Sequence, residues 1–221
     1  MIRRLRIAIL AAMALTALGA VGSPGAQAAE FHCSVQPCTW TILPDGAVPS
    51  KISHHVFVVR NSIGETVSTT CNQLTGQATT ATKTATTLTF TNLAYDGCIA
   101  FGEPYEVKFN GCDYTLTSHG QFGVTCPEGK TIEKITPGCV KTIGTFSHLA
   151  GVTFTNTGTS PNRQITVSIS VKGIPVTAHG TKAGCGFDPN KVPITAEYTT
   201  GNILLTAETD PGGVMADGWW E

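Results

Sequence analysis

Eight cysteines, at positions 33, 38, 71, 98, 112, 126, 139 and 185, constrain this chain more than any other feature. What precedes them reads as an export leader. Arg3, Arg4 and Arg6 form a positive start, residues 7–20 an uncharged apolar run, and Ala26-Gln27-Ala28 a small-x-small cleavage site. That three-part pattern marks a secretory signal peptide, removed from the mature protein. The apolar run is shorter than the roughly 20 residues a spanning helix needs, so cleavage near Ala28 is expected, and no second long apolar run follows. The mature chain is expected to be secreted or associated with the cell envelope, where thiols are normally oxidised. An even cysteine count there reads as a disulfide framework, with roughly a hundred possible connectivities for four bridges.

Periodicity narrows the fold to all-β. No segment after the leader sustains a 3.6-residue period, whereas alternation recurs. In residues 164–172, Ile165, Val167, Ile169 and Val171 share one face and Thr166, Ser168, Ser170 and Lys172 the other. Leu88 and Phe90 alternate with threonines, as do Val152 and Phe154. Residues 52–60 and 65–71 read as a hairpin around Asn61-Ser62-Ile63-Gly64. Threonine is abundant, and its branched Cβ suits a pleated, half-buried surface. An antiparallel β-sandwich, or two small tandem β modules, is expected.

Residues 105–126 permit a register. Asn110-Gly111 is a strong two-residue hairpin signal, because both residues tolerate positive φ. It would pair Phe109 with Cys112, Val107 with Tyr114 and Tyr105 with Leu116. A second turn at Ser118-His119-Gly120 would pair Leu116 with Phe122, Tyr114 with Val124 and Cys112 with Cys126. Both registers place Tyr105, Val107, Phe109, Tyr114, Leu116, Phe122 and Val124 on one face. Glu106, Lys108, Asp113, Thr115, Thr117 and Thr125 fall on the other, and a one-residue slip would reverse them. Facing residues lie about 4.5–5.5 Å apart at Cα, within the roughly 4.4–6.8 Å a disulfide accepts. Cys112–Cys126 is therefore the best-placed bridge. Cys33 and Cys38 flank Pro37 and suit a local clip. Cys71 ends one strand and Cys98 follows the next, which leaves Cys139 with Cys185. Each bridge contributes about 2–4 kcal/mol, chiefly by restricting the unfolded chain.

The expected organisation is a leader over residues 1–28, a β region over 29–104, a second over 105–210 and a flexible tail over 211–221. None of the assigned bridges crosses residues 99–111, which favours a boundary there; the meander begins in the same place, which favours one continuous domain. Thr89-Phe90-Thr91-Asn92 recurs as Thr153-Phe154-Thr155-Asn156, an echo that tandem modules or strand composition would equally produce.

Candidate sites are few. Removing the leader leaves 11 basic residues against 15 acidic ones, a net charge of about −4, and nucleic-acid binding calls for a basic surface. No C-x-x-C, H-E-x-x-H or G-x-S-x-G motif occurs, so no metal, cofactor or nucleophile is marked. His54 and His55 are adjacent on a predicted strand; they point to opposite faces and read as two partly exposed strand histidines. The most suggestive surface is the loop over residues 94–105. It interleaves Tyr95, Phe101 and Tyr105 with Asp96 and Glu103 beside Cys98. It reads either as a ligand site built on Tyr95, Asp96, Phe101 and Glu103 or as an aromatic plug over the sandwich end. In the tail, Trp219 and Trp220 follow Gly212-Gly213 and either dock on the body or anchor to a partner or membrane interface.

Several segments carry a resemblance: TTC at residues 69–71, TTLTFTNLAYDGCIAFGEPYEVKFNGCDYTL, VTCPEGKTI, GVTFTNTG and QITVSISVKGI. Across residues 31–209 the chain resembles an uncharacterised group of exported proteins from soil actinobacteria. The resemblance implies disulfide-bonded all-β proteins with cysteines at positions like 71, 98, 112, 126 and 139, and it brings no activity or site residue. The Cys33/Cys38 pair departs from that pattern, which supports joining those two.

The expected function is a non-catalytic binding or structural module whose partner is a cell-surface glycan or an envelope protein. The alternative is an extracellular hydrolase acting on envelope glycans through Asp96, Glu103 and Glu106, if two of them face across a cleft at about 5–10 Å. A third reading is a coat protein self-associating through the Trp tail.

Overall fold

The computed structural model describes residues 29–43, 54–209 and 213–221. The leader, residues 52–53 of the expected hairpin and residues 211–212 of the tail lie outside these. In chain order the strands are β1 (Phe31–Cys33), β2 (Cys38–Ile42), β3 (His55–Arg60), β4 (Thr66–Cys71), β5 (Gln73–Thr80), β6 (Thr84–Ala85) and β7 (Thr87–Asp96). There follow β8 (Ile99–Ala100), β9 (Glu103–Pro104), β10 (Glu106–Lys108), β11 (Asp113–Thr117), β12 (Gln121–Thr125), β13 (Ile132–Thr136) and β14 (Cys139–Ile143). The last are β15 (Phe146–Ala150), β16 (Val152–Thr157), β17 (Gln164–Gly180), β18 (Ile194–Thr200), β19 (Ile203–Glu208), β20 (Met215–Ala216) and β21 (Gly218–Trp220). A single helical turn, α1 (Lys182–Cys185), separates β17 from β18.

The fold is a sandwich-like pair of antiparallel sheets that share β17. The first runs β15-β12-β11-β7-β5-β2-β19-β17-β16. The second runs β10-β13-β14-β17-β18-β3-β4-β8-β9. The alternation foreseen over residues 164–172 is the first half of β17, with Ile165, Val167, Ile169 and Val171 buried. The strand leaves β19 after Val167 and pairs with β18 of the second sheet from Ser170 onward, and a register shift between Val171 and Ile174, at Gly173 with φ 78°, keeps Ile174 inward. Extra residues of this kind bend a strand and increase its twist. β15 and β16 are separated by Gly151 alone and pair with opposite ends of the first sheet, β12 and β17. Gly151 has φ 125°, and a Cβ there would run into the Ser170 carbonyl, so only glycine fits this corner.

All four expected disulfides are present: Cys33–Cys38, Cys71–Cys98, Cys112–Cys126 and Cys139–Cys185. The β11–β12 register is the one expected, with Tyr114 opposite Val124 and Leu116 opposite Phe122. It brings the Cys112 and Cys126 Cα atoms to 4.1 Å. The β3–β4 hairpin also forms, with Arg60 opposite Thr66.

The first half of the meander is different. The Asn110-Gly111 turn exists: both residues have positive φ, and the Cys112 N–H donates to the Phe109 carbonyl at 2.9 Å. Yet β10 pairs with β13, Val107 facing Lys134, and β11 takes β7 as its second neighbour, Tyr114 facing Phe90. The turn hands the chain from one sheet to the other. The cause is upstream. The Cys71–Cys98 bridge, the Tyr105 N–H donating to the Cys98 carbonyl and the contact of the Tyr105 hydroxyl with Cys71 Sγ at 3.3 Å fasten this stretch to the second sheet. The alternation survives the change of partner. Phe109, Tyr114, Leu116, Phe122 and Val124 are buried, while Tyr105 and Val107 are half-buried. Ladders β3–β18, β2–β19 and β7–β11 join residues on either side of position 104. The two TFTN segments occupy one sheet with different neighbours, β5 and β11 for β7 but β17 for β16.

The tail is the second correction. β21 pairs with β1, which pairs with β6, in a small third sheet. Trp220 lies 5.6 Å from Phe154 between ring centroids and donates its indole N–H to the Ser118 carbonyl at 3.0 Å. Asn156 hydrogen-bonds both the Trp220 N–H and carbonyl. Trp219 stacks on His32 at 5.1 Å, with the Arg163 guanidinium 4.0 Å from its ring centroid. Asp217 accepts from Ser160 Oγ at 2.6 Å and the Arg163 N–H at 2.8 Å, while its own N–H donates to Ser34. Two apolar rings and a buried carboxylate have these partners only in the docked position, which is why the end of the chain is held. Removing residues 213–221 should therefore cost on the order of 2–4 kcal/mol, a fall in Tm of several degrees for a chain this size. An unchanged melting curve by near-UV circular dichroism would contradict the docking.

Candidate functional site

Of the four residues expected to form a ligand site, Asp96, Phe101 and Glu103 are exposed and Tyr95 is not. Tyr95, on β7, turns inward: its hydroxyl donates to the Tyr198 hydroxyl at 2.9 Å and lies 3.3 Å from that of Tyr114. Asp96 is exposed and accepts from the Gly97 N–H, closing a local turn. Phe101 and Gly102, both with positive φ, form the tip of the β8–β9 hairpin, and Glu103 is exposed on β9. Phe101 is 59% exposed, yet its ring tip lies over Gly186, where a Cβ would be 2.8 Å from Phe101 Cε1. Tyr95 thus belongs to the core and Phe101 to a packed surface ridge. Of the hydrolase carboxylates, Glu106 sits on β10 with Lys108 Nζ at 3.4 Å. All three carboxylates are exposed.

The paired histidines also differ from expectation. His54 is exposed, but His55 is 2% exposed and its Nδ1 lies 2.7 Å from the Tyr198 hydroxyl. Burial, with a smaller contribution from His54, pushes the His55 pKa down to about 4. Tyr95 and Tyr114 are held above the usual tyrosine range, in each case mainly by burial. With Tyr95 donating to Tyr198, a neutral His55 accepting at Nδ1 completes a chain of satisfied hydroxyls. Buried polar groups are costly unless paired in this way.

Two side chains that periodicity could have revealed lie on β13 and β14. Ile132, Lys134 and Thr136 alternate inward, as do Cys139, Lys141 and Ile143. The two lysines stand directly opposite each other in the ladder, at 3% and 1% exposure. Neither amine has a hydrogen-bond partner. Lys134 Nζ is 2.9 Å from the centroid of the Phe57 ring and Lys141 Nζ 5.7 Å from that of Phe187. Burial lowers the Lys141 pKa to about 8; burial, and then Lys141, drives that of Lys134 well below the ordinary range. The sequence signal was a lysine on the same parity as isoleucine and half-cystine.

One open concavity among the described residues lies elsewhere. A cleft of about 380 Å³ lies where β14 parts from β17. Thr142, Gly144 and Thr145 form one wall, residues 175–178 of β17 the floor, and Pro189, Val192, Pro193 and Ile194 the other wall. The β14–β17 ladder ends at Thr142 opposite Thr177 while β17 continues, and this divergence opens the cleft. The volume falls in the roughly 300–1,000 Å³ range of ligand sites. The lining is threonine, proline, glycine and aliphatic, with no titratable side chain. No group of three or more metal-ligating side chains occurs among the described residues, and no helix among them is long and apolar enough to cross a membrane.

The pKa shifts set the pH dependence of stability. Lys134 and Lys141 have folded values below their unfolded ones, so protons favour the unfolded chain. The penalty is absent above the unfolded value near 10.5 and grows as pH falls; for Lys141 it stops growing near 8, and for Lys134 it continues lower. His55 adds a further loss between about 6.5 and about 4. Glu65, held down to about 2 first by Lys182, and Asp217, held low first by Ser160, stabilise the fold above their unfolded values and release that stability in acid. These contributions share one sign; Tyr95, Tyr105, Tyr114 and Lys182, held above their ordinary values, oppose it only in the alkaline range, and Asp113, raised by burial, opposes it in acid. Urea midpoints should fall from about pH 9 to about pH 5, between the tyrosine and carboxylate ranges. Lys134→Met should raise stability at neutral pH by on the order of 1–3 kcal/mol and flatten the alkaline limb. A midpoint that rises on acidification would contradict this assignment.

Comparison with protein-family models, with curated proteins and with solved structures found no match for this chain.

Proposed function

We propose that this chain is a secreted or envelope-associated binding module, without catalytic function, whose β14–β17–β18 cleft takes an uncharged, largely apolar group of an envelope protein. The observation that supports this reading most is the cleft lining. Acid–base and nucleophilic catalysis need a titratable or activated side chain at the reacting atoms, and threonine hydroxyls beside proline and valine supply neither. The same lining favours apolar side chains over sugar, since it has no aromatic face to stack on. The leader pattern and the four disulfides fit an oxidising compartment outside the cytoplasm.

Val192 is 69% exposed on the cleft wall, so Val192→Asp should leave the fold intact while placing a charge against any apolar ligand. In capture from envelope extracts, the wild-type chain should retain a protein that Val192→Asp retains at least about tenfold less, a loss of roughly 1.4 kcal/mol. A glycan array run alongside should stay blank. Binding on the array that Val192→Asp leaves unchanged would overturn the reading. So would release of reducing sugar from envelope glycan that Asp96→Asn abolishes, which would favour the hydrolase.

A further inference from the structure

The β13–β14 hairpin carries a contradiction that protons can operate. Its inner face lies on the core through Ile132, Ile143 and two lysines, and each lysine amine is buried with no acceptor. Residues directly opposite in an antiparallel pair have Cβ atoms about 4.5–5.5 Å apart, and like charges placed so are destabilising. Burying one unpaired ammonium is already costly, and two in one dry slot are worse. The aromatic faces of Phe57 and Phe187 offer each amine some cation–π attraction but no proton acceptor.

The titratable groups around the pair do not relieve it. On β3, His55 shares the inner face with Phe57 but bonds Tyr198, and Arg60 is exposed at the strand end. On β10, Glu106 and Lys108 are exposed and pair with each other, flanking Val107, which faces Lys134. Glu133 lies on the opposite parity of β13, and His179 of β17 is exposed beside Ala178, which faces Lys141. Tyr105 directs its hydroxyl to Cys71 Sγ. Beyond Phe187, the side chain of Lys182 pairs with Glu65, and the Asp188 N–H donates to the same carboxylate. Among the ion pairs of the described residues, none includes Lys134 or Lys141.

The hairpin is cross-linked near its turn and held elsewhere by hydrogen bonds alone. Near its turn, Cys139 is bridged to Cys185 and Thr136 Oγ1 donates to the Cys139 and Gly184 carbonyls at 3.2 and 3.4 Å. Along its edges β13 pairs with β10 and β14 with β17 as far as Thr142, and beyond Ile143 the Thr145 hydroxyl accepts the Cys126 N–H at 3.0 Å beside the cleft. We propose that this hairpin is an acid-released flap. It lies closed on the core while the Lys134–Lys141 pair holds no more than one proton, and it swings out about the Cys139–Cys185 bridge when the pair takes a second. The low affinity of Lys134 for a proton agrees with this order: Lys141 takes the first and Lys134 the second. Release would also remove the cleft wall formed by Thr142, Gly144 and Thr145, although the flap stands whether or not the cleft holds a ligand.

Hydrogen–deuterium exchange on the disulfide-bonded chain, corrected for intrinsic rates and run from about pH 7.5 to about pH 5, where Lys141 already holds its proton, tests the flap directly. Amides of Ile132–Thr136 and Cys139–Ile143 should open about tenfold more for each unit of acidification, the signature of one proton taken up per opening. Amides of β2 and β5 should stay protected over the same range. Lys134→Met should remove the slope and keep the hairpin closed, and Lys141→Met serves the same purpose if the first variant does not fold. Parallel exchange of the hairpin and β5 at every pH would overturn the proposal, and so would a slope that survives in a folded methionine variant. If neither variant folds, the wild-type ratio decides: a ratio independent of pH overturns the flap, and one that rises tenfold per unit upholds it.

Discussion

Three tyrosine hydroxyls and one imidazole meet where the two sheets face each other, and the architecture rests on their being satisfied there. Tyr95 and Tyr114 come from β7 and β11 of the first sheet, His55 and Tyr198 from β3 and β18 of the second. The rings pack against Phe57, Phe109 and Phe122; Tyr198 lies 4.3 Å from Phe57 and 5.7 Å from Phe122 between centroids. Hydrophobic burial draws the sheets together, but only one relative placement leaves no hydroxyl without a partner. A shift of one residue in β18 or β7 would withdraw Tyr198 or Tyr95 from the cluster and leave His55 unpaired in the core. β17 makes that placement possible by pairing with β19 of the first sheet as far as Val167 and with β18 of the second from Ser170 onward.

How far the sequence could be read follows from the range of each interaction. Alternation is local, so strand identity and facing were legible even where the partner was not. Phe109 and Tyr114 are buried as parity requires, although β10 and β11 belong to different sheets. The disulfides were legible because Cys112 and Cys126 sit at the ends of one two-stranded register and the remaining pairs follow from order along the chain. A turn, by contrast, specifies reversal and not the neighbour beyond it. Asn110-Gly111 reverses the chain as expected, yet the bridge at Cys71 and the anchoring of Tyr105 decide where β10 goes. The Trp tail was open for the same reason: Phe154, Asn156 and Ser118, which hold Trp220, are far away in the chain. The site residues fared worst. Tyr95 and Phe101 look equivalent as loop aromatics, and only tertiary structure separates the core ring from the surface one.

The charged interior connects this architecture to function. Strands that alternate inward and outward bury whatever residue has the right parity, and Lys134 and Lys141 occupy inward positions beside Ile132 and Ile143. Leucine or methionine would serve packing better at either place. The cost of the two amines falls on the hairpin that forms one wall of the open cleft. The open cleft and the buried amine pair therefore share a strand, and four disulfides cross-link the chain around them.

The hydroxyl cluster that joins the sheets is open to a direct measurement. In a histidine-resolved NMR titration, the ring protons of His55 should keep their neutral shifts until about pH 4, because Nδ1 accepts from Tyr198 inside the core. A His55 resonance that titrates near the ordinary value of about 6.5 in the folded chain would place the ring in water, and the joining of the two sheets described here would be wrong.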